Sequence, residues 1–152
     1  MRASVPARPT ERNLSMYRFL DHPSEAYVEV TDATIEGVFR EAAIALFEIM
    51  TDTTALKRDR EFTIELESED RSLLLIDWLN RLILLHELEG VFLCDFDVQI
   101  QKAENWKIRA IVHGEQIREN HQRRSQAKSA TYGQLDWIEM KNENIVRFVV
   151  DI

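Results

Sequence analysis

The sequence predicts an α+β domain, a mostly antiparallel sheet with two helices packed on one side. Three observations predict it. Apolar and polar residues alternate over 61–66, 92–101 and 106–112, the period of half-buried strands. Residues 35–49 and 73–85 instead carry apolar side chains at helical spacing. The order is strands, helix, strand, helix, then several strands joined by short turns, which favours hairpins over parallel crossovers.

The first strand is expected over 16–20. Asp21-His22-Pro23-Ser24-Glu25 breaks it, because Pro23 has no N–H and biases His22 away from helix. Strand character resumes over 26–30. Thr34 is a plausible N-cap, and Ile35, Val38, Phe39, Ala42, Leu46 and Ile49 then form one apolar stripe. Gly37 weakens that helix modestly. Residues 51–54 are polar and turn-forming and end it.

After the strand at 61–66, residues 68–70 give a capped, acidic entry to the second helix. Its wide apolar face includes Leu74, Trp78, Leu82 and Leu85, and Gly90 suits the position just past its end. The runs 92–101 and 106–112 form a hairpin about Ala103-Glu104-Asn105. Residues 114–128 are polar and carry several cations. Two last strands follow near 130–140 and 145–152, joined by Lys141-Asn142-Glu143-Asn144.

A length of 152 residues suits one domain with a sizeable core. The expected division is a flexible leader over 1–15, rich in proline and arginine, and a folded domain over 16–152. The chain is 45% hydrophobic and 30% charged, with a net charge of −8. That balance argues against a general nucleic-acid binder, which would show a basic face. A single cysteine, Cys94, excludes an internal disulfide and fits a reducing cytoplasm. It alternates in phase with Phe92 and Phe96, so a core thiol is expected. The apolar run Leu73-Leu74-Leu75-Ile76 is broken by Asp77 and Asn80, and no membrane partner is expected. The N-terminus lacks the apolar stretch of a secretory signal.

The sharpest chemical feature is the ending Val149-Val150-Asp151-Ile152. The α-carboxylate of Ile152 lies one residue from the Asp151 carboxylate, and two such groups on a strand call for compensation. A hard cation with oxygen ligands is the obvious candidate, and Glu25 would add a third carboxyl group if the two segments meet. The loop holding His22 otherwise reads as an ordinary bend, with Asp21 and Ser24 bonding locally. His121, Arg123, Arg124 and Lys128 form a local cationic patch, suited either to a phosphate or acidic partner or to solvent alone. Trp78, Trp106 and Trp137 fit core or rim positions. There is no Gly-rich phosphate loop, C-x-x-C pair or H-E-x-x-H helix, which leans against a self-contained hydrolase or NTPase.

Taken together, several segments resemble the archease family in order and spacing. They are the D-H-P-S-E loop, Leu46-Phe47-Glu48-Ile49-Met50-Thr51-Asp52, and the stretch from Leu73-Leu74 through Trp78-Leu79-Asn80 to Gly90. Gly114-Glu115, His121, Lys128-Ser129-Ala130-Thr131-Tyr132 and the terminal Asp151-Ile152 complete the likeness. The resemblance implies an accessory factor rather than a stand-alone enzyme. Its partner would be the GTP-dependent tRNA-splicing RNA ligase, whose active-site histidine becomes guanylylated more readily and turns over repeatedly. The resemblance also implies a divalent metal ion at Glu25, Asp151 and Ile152, with calcium expected first and magnesium or manganese as alternatives. His22, His121, Arg123, Arg124 and Lys128 are then expected contacts to partner or phosphate.

The sequence departs from the family pattern in places. Glu25 stands where the family has Asp, one methylene further out. Pro23-Ser24 replaces Thr-Ala, and Gly133 stands where the family often has His. Two alternatives stand beside this reading: a modulator of a tRNA-modifying methyltransferase, and a small metal-dependent phosphoesterase using Glu25, Asp151 and His22. Direct contact with tRNA and the oligomeric state stay open.

Overall fold

The computed structural model describes residues 15–20 and 25–152. Met16–Leu20 forms β1 and Glu25–Asp32 forms β2. The leader expected over 1–15 lies, apart from Ser15, outside the described residues.

Helix α1 (Ile35–Met50) starts where the sequence predicts. The Thr34 hydroxyl accepts from the Gly37 N–H at 2.9 Å, a cap worth about 1 kcal/mol. Asp32 braces this cap: its Oδ1 accepts from the Thr34 N–H at 2.8 Å and from the Thr34 hydroxyl at 3.1 Å. The Ser15 hydroxyl donates to the other oxygen of Asp32. Gly37 now has a reason. A Cβ at that position would lie 2.1 Å from Asp32 Cγ, so glycine makes room for the bracing carboxylate.

Strand β3 (Arg60–Ser68) leads to α2 (Arg71–Glu89), whose N-cap is Asp70, accepting from the Ser72 N–H at 2.8 Å. Gly90 ends α2 at φ 63°, the left-handed conformation that glycine adopts without strain. Then come β4 (Val91–Lys102), β5 (Trp106–Gln116), β6 (Ser129–Met140) and β7 (Glu143–Asp151).

The predicted α+β class and antiparallel pairing hold, and the strands divide between two sheets. The first has the order β1-β2-β7-β6 and the second β3-β5-β4. Both helices touch both sheets: α1 packs on β2 and β4, and α2 on β3 and β6. The cause lies in the helix faces. Val38, Phe39, Ala42, Ala43, Ala45, Leu46 and Phe47 are all fully buried, which is more than one side of α1. A helix apolar on so much of its circumference needs cover from two directions. Each large apolar side chain so buried contributes about 1.5–3 kcal/mol. Trp78 of α2 sits at the centre, fully buried, and its Nε1–H donates to the Phe39 carbonyl at 3.0 Å.

One sequence expectation fails. Cys94 is not a core thiol but is half-exposed. Phe92 pairs with Glu115, Leu93 with Gly114 and Asp95 with His113, so Cys94 is an extra residue in a bulge. The bulge shifts the side-chain phase by one, and strict alternation cannot foresee it.

Candidate functional site: the acidic end of the first sheet

Strands β2 and β7 lie more than a hundred residues apart in sequence, yet the two are neighbours in the first sheet. Their register places Glu25 directly opposite Asp151. On the other flank of β7, Ser129 of β6 is also opposite Asp151. Residues opposed across antiparallel strands project from the same face with Cβ atoms about 4.5–5.5 Å apart. Two carboxylates and a hydroxyl therefore share one end of one sheet face. The Ser129 hydroxyl donates to Asp151 Oδ2 at 3.1 Å, and the Lys128 N–H donates to the Asp151 carbonyl at 2.8 Å. Glu25, Asp151 and Ile152 are each half-buried, and Ile152 packs its side chain against the core.

The structure thus brings Glu25 and Asp151 together. His22 and Asp21 fall outside the described residues. Among the described residues, no three or more His, Cys, Asp or Glu side chains are arranged to hold a metal ion. The donors that do meet are all oxygens, and their chemistry suits a hard divalent cation better than a soft one.

The cationic segment between β5 and β6 has a different character from the one its composition suggests. His121 is buried. The Arg118 N–H donates to its Nδ1 at 2.9 Å, so Nε2 carries the ring proton and donates to Glu115 Oε1 at 3.1 Å. The Lys57 N–H, donating to the same oxygen at 3.0 Å, holds the Glu115 carboxyl below its usual range; burial opposes this and His121 reinforces it.

Arg124 is also engaged within the fold. Its Nη1 lies 2.7 Å from Glu48 Oε1 and donates to the Glu48 carbonyl at 2.8 Å. The N–H groups of Arg124 and Ser125 donate to the carbonyls of Met50 and Ile49 at 2.9 and 3.1 Å. These are orphan carbonyls of the last turn of α1. That turn has no basic residue of its own, and Arg124 supplies the cation its dipole favours. Arg123, Arg124 and Lys128 are all exposed to solvent, and of the three Arg124 is tied to Glu48. The Arg123 guanidinium lies 6.0 Å from the centre of the Phe92 ring.

Sequence reasoning missed two contributors. Ser129 was visible only as part of a motif, and its bond to Asp151 depends on register. Asn80 of α2 reaches the backbone of Ala130, next to Ser129, with both ends of its amide.

The profile of the archease protein family matches residues 17–152. The archease of Methanothermobacter thermautotrophicus is 32% identical over 137 residues, which span 90% of this chain and 98% of the relative. The archease of Methanopyrus kandleri is 33% identical over 135 residues, spanning 88% and 96%. A solution structure of a Methanobacterium thermoautotrophicum protein matches with a TM-score of 0.80 and 33% identity, over 90% of this chain and 98% of that one. A crystal structure of a Thermotoga maritima archease, described as a possible chaperone, matches at a TM-score of 0.61 and 17% identity, over 88% and 94%, a likeness of fold alone. Matched by the family profile over nearly its whole described length, and by close relatives over nearly theirs, this chain belongs to the archease family.

Proposed function

We propose that this protein is a non-enzymatic accessory factor of a GTP-dependent tRNA-splicing RNA ligase. It acts in the cytoplasm and promotes guanylylation of the ligase's active-site histidine and repeated turnover. The observation that carries the reading is the register of Glu25 with Asp151, which joins the two segments the sequence singled out. In this reading Glu25, Asp151 and the Ile152 carboxylate hold a divalent ion, calcium first and magnesium or manganese as alternatives. When bound, such an ion would supply positive charge where phosphate charge must be offset. The chain's own part is to present that acidic end to the ligase active site. Lys128, exposed beside it and tied through its N–H to Asp151, meets ligase or RNA phosphate, and Arg123 offers a second cation.

The test is guanylylation of the purified ligase by labelled GTP, with and without this protein. Stimulation by the wild type and its loss in Asp151→Ala are expected. No stimulation by the wild type, or full stimulation by Asp151→Ala, refutes the reading.

A further inference from the structure

Among the described residues, strand β6 is an edge of the first sheet, with β7 on one side and no strand on the other. An edge strand presents N–H and C=O groups that lack ladder partners. At Ala130 a side chain supplies both. The Ala130 N–H donates to Asn80 Oδ1 at 2.8 Å, and Asn80 Nδ2 donates to the Ala130 carbonyl at 3.1 Å. An N–H can only donate and a carbonyl can only accept, so these two bonds fix which end of the amide is which. Asn80 thus does for one residue what a further strand would do for a whole edge. Asparagine is a poor residue for a helix interior, so its presence in α2 asks for a reason outside the helix.

The reason lies one and two residues away. Ala130 pairs with Val150, and the next pair is Ser129 with Asp151. Ser129 bonds the Asp151 carboxylate and the Lys128 N–H bonds the Asp151 carbonyl. Beyond Thr131 the register of β6 against β7 breaks until Asp136, so the pairing that holds Ser129 and Lys128 in place is three residues long. A short ladder next to an irregular stretch is easily displaced. We infer that Asn80 is a positioning residue: it locks Ala130 and thereby sets Lys128 and Ser129 against Asp151. This rests on the accessory-factor reading for its functional consequence but not for its structural one.

The experiment compares wild type with Asn80→Ala and Asn80→Asp. Asn80→Asp keeps the size and the acceptor for the Ala130 N–H, and sets a charged carboxylate oxygen in place of the donor to the Ala130 carbonyl. Thr34→Ala, which removes the cap of α1, shows what a general loss of stability does. Two quantities are read: amide exchange of Lys128 and Ser129 relative to the rest of β6 and β7, and stimulation of ligase guanylylation. Loss of an outer support of a binding site costs on the order of 10–100-fold, and a drop of that size in stimulation is expected in both Asn80 variants. Exchange at Lys128 and Ser129 should rise roughly tenfold or more in the same variants, and in Thr34→Ala neither quantity should change selectively. Unchanged local exchange in both Asn80 variants overturns the inference, as does wild-type stimulation by both. If the wild type fails to stimulate the ligase at all, the functional reading falls, and exchange at Lys128 and Ser129 alone decides the positioning role.

Discussion

Glu25 and Asp151 stand directly opposite one another on neighbouring antiparallel strands, at the end of one face of a four-stranded sheet. Like charges so opposed destabilise a sheet by about 0.2–1 kcal/mol. A divalent ion held between the two would offset that repulsion. Adding calcium to chelator-treated protein should therefore raise the melting temperature of wild type more than that of Glu25→Gln. Thermal unfolding in EDTA and with calcium restored checks this. An equal rise in both proteins would mean that Glu25 takes no part in holding the ion.

Gly37 sets helix propensity against packing. By propensity alone, Gly37→Ala should stabilise α1 by about 1 kcal/mol. The new Cβ would meet Asp32 Cγ at 2.1 Å, and Asp32 cannot yield without releasing Thr34 and Ser15. A net loss of about 1–3 kcal/mol is expected, measured by urea denaturation. A gain would show that the Asp32 brace is dispensable.

The helices and most strands were legible because each depends on a local period. Thr34 and Gly90 are legible because capping and left-handed backbone are local demands. What the sequence could not show depends on partners. The buried circumference of α1 requires two sheets, yet a one-dimensional stripe does not name what covers it. The bulge at Cys94 exists because a residue of β4 has no opposite number in β5. Arg124 and His121 read as a surface patch because their partners, Glu48 and Glu115, lie 76 and 6 residues away in sequence. The acidic pair was half legible: Asp151 stood out, while its meeting with Glu25 required the pairing of β2 with β7.

Glu29 gives a prediction in pH. Burial pushes its carboxyl up, but hydrogen bonds and charges from Arg18 and Arg147, at 2.6 and 2.8 Å, outweigh burial and leave it below its ordinary value. A carboxyl lowered on folding contributes stability above its unfolded value, near pH 4.3, and that contribution is lost as pH falls through the folded value. Glu29→Gln should cost roughly 1–2 kcal/mol at pH 7, and the gap to wild type should close below about pH 4. Urea titrations across pH 3–7 measure it. A gap that stays constant with pH would mean the arginines stabilise by packing rather than charge.

Arg124 tests the stitching of the cationic segment to α1. Arg124→Ala removes the bonds to the Glu48 carbonyl and carboxylate and should cost about 1–2 kcal/mol. Amide exchange at residues 47–51 should rise with it, since Arg124 supplies the cation at that helix end. Protection unchanged there would return Arg124 to the role of a surface charge.

In the proposed function Glu25 and Asp151 hold one divalent ion between them. Calorimetric titration of calcium into chelator-treated wild type, Glu25→Gln and Asp151→Asn reads that binding. One binding event is expected in the wild type, weakened roughly tenfold or more by either substitution. Equal affinity in all three proteins, or no binding by the wild type, would contradict it.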